Sequence, residues 1–193
     1  MLTLVACVVK KGIYNIIGKD NDLVVKIKKD IQMFKLVTSR VLDETDFRLN
    51  ITVTGSKTYF SIPECYRPLR HRINFVLTNN NRLLEISKKD IENRDFDDTK
   101  PYFMTYQTFT KIYNSDKSRN FFIIGGADVY NIFLDYWKLD KLYITEVHGV
   151  PINLREDNLV YIGDYTEKYA VNKVSDWFKE KDICYRFLEY YPK

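Results

Sequence analysis

The chain has 193 residues, 45% of them hydrophobic, which is material for one sizeable core and one domain. Its 30 basic and 26 acidic residues are interspersed, so the net charge of +4 forms no block of the kind that grips nucleic acid, though a mild positive balance suits phosphate- or carboxylate-bearing ligands. Three scattered cysteines (Cys7, Cys65, Cys184) and two histidines (His71, His148) have no metal-ligand spacing, which argues against a zinc site and for a reducing compartment. The opening MLTLVACVVKKG is too short for a signal peptide, and no apolar run approaches membrane-spanning length. The expectation is a cytoplasmic protein without metal and with neither a membrane nor a nucleic-acid partner.

Leu2–Val9 reads as the first strand. Lys26–Ser39, KIKKDIQMFKLVTS, follows as a helix, with Ile27, Ile31, Phe34, Val37 and Thr38 recurring at the spacing of one buried face. Asp30 lies three residues after Ile27 and four before Phe34, so it points with that face. A carboxylate there loses hydration, binds its proton more tightly and seeks a cationic or hydrogen-bonding partner. Such a group suits the floor of an apolar pocket that takes a polar heterocycle. In the plainer alternative, Asp30 sits at the stripe's edge and reaches water.

Asn50–Thr54 reads as a strand that ends in Gly55, after which Ser56, Lys57 and Thr58 open a short helix. Backbone amides, a lysine and hydroxyls there make a plausible phosphate cradle. The GSKT string is not a nucleotide-triphosphate loop, because the earlier glycine such a loop needs is missing from LNITVT. In RPLRHRINFVLT, Arg72 stands immediately before the strand Ile73–Thr78, where a fixed guanidinium can fork onto a carboxylate. Strand Tyr102–Thr105 and helix Thr105–Tyr113 come next. FFIIGGADVY then places a buried strand, Phe121–Gly125, against a helix over Asp128–Trp137. Gly125 and Gly126 allow close backbone approach, and the helix start offers free N–H groups to a phosphate. Leu142–Val147, Tyr169–Val174 and Ile183–Glu189 complete the strands. The early runs are apolar without alternation, as central strands covered on both faces are. The last two alternate and follow one another without a helix, as an antiparallel pair closing an edge does. Strands alternating with helices give an α/β class.

LTLVACVV, IIGKDNDL, KKDIQMF, VTGSKTYFSIPE, RPLRHRINFVLT, FIIGGADVY and KLYITEV, in this order and nearly end to end, resemble the eukaryotic-type dihydrofolate reductases. That resemblance implies a single domain with a mostly parallel eight-stranded sheet, an antiparallel C-terminal edge strand and four flanking helices. It implies reduction of 7,8-dihydrofolate with NADPH, in a monomer, with fusion to or association with thymidylate synthase left open. Asp30 and Thr145 become the catalytic pair: Asp30 meets the pterin's 2-amino group and ring nitrogen, and Thr145 orients it. Substrate contacts fall on Val5, Ala6, Ile31, Phe34, Lys35, Ile62, Leu69, Arg72, Ile124 and Tyr130, with Arg72 on the glutamate carboxylate. Cofactor contacts fall on Cys7, on Ile17, Gly18, Lys19 and Asp20 in a loop over the active site, and on Gly55, Ser56, Lys57 and Thr58. Further cofactor contacts fall on Leu77, Thr78, Asn79, Ile124, Gly125, Gly126, Ala127, Asp128, Val129 and Tyr130. The Gly125–Gly126 bond is implied to be cis.

The chain departs from the family at several points. Leu23-Val24-Val25 replaces Leu-Pro-Trp, whose tryptophan packs beneath the pterin and helps hold a water. Lys10–Asn15 is longer than usual, His71 stands where a glycine is common, and Tyr59 replaces a tryptophan. Ser56 and Asn79 occupy often-basic positions, leaving Lys57, with Arg82, to meet a 2′-phosphate. Two other readings stay open here. One is a noncatalytic member that binds folate or a protein partner, suggested by Val24 and Val25. The other is a relative of the pyrimidine reductases of riboflavin synthesis, which Asp30 and Arg72 disfavour.

Overall fold

The non-alternating apolar runs form the middle of one twisted sheet. A computed structural model describes residues 1–20, 22–39, 48–155 and 158–193. In chain order its elements are β1 (Leu2–Lys11), β2 (Tyr14–Lys19), β3 (Asp22–Leu23), α1 (Lys28–Ser39), β4 (Ile51–Gly55), α2 (Ser56–Ser61), β5 (Ile73–Leu77), α3 (Asn81–Asn93) and β6 (Pro101–Met104). There follow α4 (Tyr106–Ser115), β7 (Phe121–Ile123), α5 (Ala127–Tyr136), β8 (Lys141–His148), β9 (Leu159–Ile162), β10 (Tyr169–Val174), β11 (Phe178–Glu180) and β12 (Ile183–Pro192). The main sheet runs β10-β12-β8-β1-β7-β4-β5-β6, and these eight strands are the eight expected runs. From β8 to β6 every pairing is parallel, while β12 is antiparallel to β8 and to β10. The antiparallel pair does close an edge, with β10 outermost and the C-terminal β12 one place in.

Among the described residues β2, β3, β9 and β11 pair onto this path and make the expected eight-stranded sheet one of twelve strands, and two further features differ from the expectation. The described residues hold five helices, since α3 was not foreseen. Its inward stripe is interrupted by Ser87, which is buried so that its hydroxyl can accept the Phe103 N–H at 2.8 Å. The expected loop Ile17–Asp20 is largely strand: β2 pairs with β1 through a tight turn at Gly12 (φ +60°) and with β9 on its other side. The longer stretch Lys10–Asn15 is thus the tip of a hairpin, which only a residue free to take positive φ lets turn so sharply.

On one face Leu2, Leu4 and Val8 of β1, Val53 of β4, Phe75 of β5 and Phe121 and Ile123 of β7 are fully buried, and on the other Thr3, Thr52, Val76 and Phe122 are buried too, so these strands are covered on both faces. Phe109 of α4 lies 5.9 Å from Phe121 and 5.5 Å from Phe133 of α5, and Trp137 lies 5.1 Å from Phe133 (ring centroids). This aromatic cluster clamps α5 to β7 and fixes where the start of α5 points. Among the described residues, no helix is long and apolar enough to cross a membrane, and all three cysteines are free thiols.

Candidate active site

Asp30 sits in the first turn of α1, half-buried, and the Thr145 hydroxyl of β8 hydrogen-bonds to its carboxylate. Burial raises its proton affinity above the ordinary carboxylate value, and the Thr145 bond offsets part of that rise. The alternative of an edge-of-stripe carboxylate in water therefore fails. Thr145 stands opposite Cys7 of β1 and Phe187 of β12, so three strands set its position. The face of α1 is not wholly buried: Ile27 and Thr38 are, Phe34 and Val37 are partly so, and Ile31 is 52% exposed, contrary to the helical stripe. A cavity of about 200 Å³ lies between α1 and the sheet. Val5, Asp30, Phe34 and Thr145 line it from the expected site and Val37 from the expected helical face, joined by Met33, Tyr143 and Phe187, which sequence reasoning did not single out. Spacing could have shown Met33, since Asp30, Met33 and Val37 make one helical row.

Arg72 is 4% exposed, not the solvated arginine usual at a strand start. Its Nη1 donates to Thr38 Oγ1 (2.6 Å), its Nε to the Arg70 carbonyl (3.1 Å), and its guanidinium lies 5.7 Å from the Phe34 ring centroid. Desolvation pushes its pKa down to about 10. Among the described residues it has no carboxylate partner, so a buried, charged fork is held ready for an anion.

The two glycine turns meet at the carboxyl edge of β4 and β7. The Gly55 N–H and the Thr54 hydroxyl both donate to the Gly125 carbonyl, at 2.7 and 2.8 Å. Gly125–Gly126 is a cis peptide, as the resemblance implies. A Cβ on Gly126 would stand 2.5 Å from Thr58 Oγ1, and one on Gly125 would stand 3.1 Å from the Tyr130 ring at φ +112°. α2 and α5 begin on Gly55 and Gly126 with no side-chain cap. By contrast, α3 and α4 begin on Asn80 and Thr105, whose side chains accept the Arg82 and Thr108 amides. Uncapped amides at adjoining helix starts, approached only over glycine, fit the pyrophosphate of a dinucleotide.

Tyr130 joins the two regions. Its ring packs on Gly125, its hydroxyl donates to the Val5 carbonyl at 2.6 Å, and Asp30 is near enough to raise its pKa further above what burial does. Cys7 is likewise pushed up by burial and by Asp30, so it is a neutral thiol.

A family model described as "Dihydrofolate reductase" matches residues 1–173. The chain belongs to the dihydrofolate reductase family. Its relatives include a dihydrofolate reductase of Pneumocystis carinii, 36% identical over 68% of this chain and 63% of that protein. One from Candida albicans is 30% identical over 75% of this chain and 68% of that protein. The bifunctional dihydrofolate reductase-thymidylate synthase of Plasmodium berghei is 25% identical over 90% of this chain and 30% of its own length. The matched stretch thus spans less than two thirds of the Pneumocystis and Plasmodium relatives.

Within this family's fold, the remaining candidate residues take distinct places. The side chains of Ala6, Leu77 and Val129 belong to the main core cluster and leave only backbone for a ligand. Ile17, Lys19, Ser56, Thr58, Ile62, Leu69, Thr78, Ile124 and Ala127 are half-buried, Gly18 is buried, and Lys35, Lys57, Asn79 and Asp128 are exposed. Asp20 is exposed and accepts from Asn158 Nδ2 at 2.6 Å. Val24 and Val25 pack against a second core cluster around Val9, Ile16 and Ile27, so the lost tryptophan is replaced by smaller apolar packing. His71 has φ +62°, which explains why glycine is common there.

Proposed function

We propose that the chain reduces 7,8-dihydrofolate to tetrahydrofolate with NADPH, and so supplies one-carbon reactions, thymidylate synthesis among them, in the cytoplasm. The observation that carries the reading is the desolvated Asp30–Thr145 pair beside Tyr130, whose ring packs on the Gly125 turn. It sets a proton-holding carboxyl next to a nucleotide cradle. Asp30 pairs with the pterin's 2-amino group and adjacent ring nitrogen, and its raised proton affinity favours protonation at N5. Phe34 and Ile62 enclose the rings, Leu69 flanks the tail and Arg72 forks onto the glutamate carboxylate. The cofactor supplies the hydride when bound. Amides of Gly55–Thr58 and Gly125–Val129 hold its phosphates, and the glycines let them approach. Lys57 and Arg82 favour NADPH over NADH, with Ser56 and Asn79 adding hydrogen bonds in place of charge.

The retained Asp30–Thr145 bond speaks against a noncatalytic member, and the family match against a pyrimidine reductase. A spectrophotometric assay with dihydrofolate and NADPH tests the reading. Turnover is expected, with kcat falling as pH rises through the raised pKa of Asp30. No turnover at micromolar enzyme, with Asp30→Asn indistinguishable from the parent, would overturn it.

A further inference from the structure

Asn74 lies in β5, 2% exposed, two residues after Arg72. An asparagine side chain in the middle of a fully buried strand needs a polar reason to be there. Its amide supplies one, because all of its bonds go to a single turn. Oδ1 accepts from the Leu69 N–H at 2.8 Å, while Nδ2 donates to the Leu69 carbonyl at 2.9 Å and to the Arg72 carbonyl at 2.6 Å. That orientation of the amide alone satisfies all three partners. Between Leu69 and Arg72 the turn is exposed at Arg70 and at left-handed His71, whose N–H ties it outside to Asp98 Oδ2 at 2.9 Å. On the other side of Arg72, Thr38 accepts from Nη1 and donates its own hydroxyl hydrogen bond to the Phe34 carbonyl at 2.8 Å.

We infer that Asn74 is a positioning residue for the anion end of the substrate: its amide sets Leu69 and Arg72 as one unit, so that the guanidinium meets a carboxylate tail in a fixed geometry. This rests on the proposed function and extends it to a residue that touches neither substrate nor cofactor. Arg72 and Leu69 both take their backbone position from this one side chain. Losing it relaxes the fork while leaving Asp30, Thr145 and the glycine turns in place.

The test compares dihydrofolate with a neutral analogue that keeps the dihydropterin and benzoyl amide but lacks the glutamate. Turnover of dihydrofolate by the parent protein is measured first, and its absence removes the functional reading before any variant is made. With turnover present, Asn74→Leu is expected to raise KM for dihydrofolate about tenfold, the loss of one well-aimed charge-assisted contact. Its kcat, its KM for NADPH and its kcat/KM for the neutral analogue stay within about twofold of the parent, since none depends on the fork. In an Arg72→Met background the same change adds nothing further for dihydrofolate, because the two residues act as one. Equal losses on both substrates, a fall in kcat, or additive effects with Arg72→Met would overturn the inference. Should Asn74→Leu not fold, Asn74→Asp carries the same comparison, keeping the acceptor for Leu69 and turning an oxygen onto both carbonyls. If neither variant binds NADPH as the parent does, Asn74 is a determinant of the fold and the inference falls.

Discussion

On the proposed substrate side of the cleft the polar groups are side chains, each seated by a partner from another element: Asp30 by Thr145, Arg72 by Thr38. At the proposed phosphate cradle they are backbone amides, freed because α2 and α5 begin on glycine where α3 and α4 begin on a side-chain cap. The first kind of site gains chemistry, since burial shifts the proton affinities of Asp30 and Arg72. The second gains close approach and a fixed dipole from its glycine turns, and the charge proposed there, on Lys57 and Arg82, lies outside them. A change on the substrate side should therefore show in rate and pH profile, and one on the nucleotide side in cofactor affinity and packing.

The largest expected effect is that of Asp30→Asn, which should lower kcat about a hundredfold or more, as loss of a proton-transferring group does. The descending alkaline limb of the parent's pH profile should vanish with it. Stability should move the other way. A carboxyl that holds its proton more tightly when folded loses stability as pH climbs from its unfolded pKa, about 3.9, to the folded one. Asparagine has no such loss. Thermal melts should therefore find Asp30→Asn at least as stable as the parent at neutral pH, with the gap closing below the unfolded pKa. A variant that unfolds at neutral pH would make Asp30 structural and erase the contrast between the two sides.

Gly126→Ala comes second. Its Cβ falls 2.5 Å from Thr58 Oγ1, so α5 and α2 must part, at about 1–3 kcal/mol of stability and with weaker NADPH binding. Fluorescence titration with NADPH and denaturant melts read the two effects. Adding Thr58→Ala should recover part of both, and no recovery would show that close approach is not what the glycine provides. Smaller still, Asn80→Ala and Thr105→Ala should each cost about 1 kcal/mol by removing a helix cap, with cofactor affinity unchanged. A change in NADPH binding from either would break the distinction between capped and uncapped helices. The smallest effect is expected from Val25→Trp, which should preserve or raise activity in the same assay. Loss of soluble protein instead would show that the cluster around Val9 and Ile16 is closed over the valine.

The fold was readable wherever burial is written as an apolar run. All eight strands of the main sheet path were visible as β-branched or aromatic stretches. α3 was not, because Ser87 stands in its stripe and its hydroxyl is satisfied by a strand that only tertiary structure supplies. β2 and β9 escaped because each is stabilised by the other across the chain. Asp30 was legible because it violates its own helix. The burial of Arg72 was not, since its partner Thr38 lies 34 residues away. The amide of Asn74 was likewise silent: asparagine before an apolar run reads as a strand start, and nothing local says that its bonds run backward to Leu69.

The pairing of β2 with β9 has a consequence for how the cleft can breathe. Gly18 and Lys19 are not the tip of a free flap but a middle ribbon, stitched to Leu23 and Asp22 of β3 on one side and to Val160 and Leu159 of β9 on the other, with Asn158 fastened to Asp20. In the proposed reading, release of the nicotinamide end drags Leu159–Ile162 along. Deuterium uptake by those four amides should slow when NADPH is added.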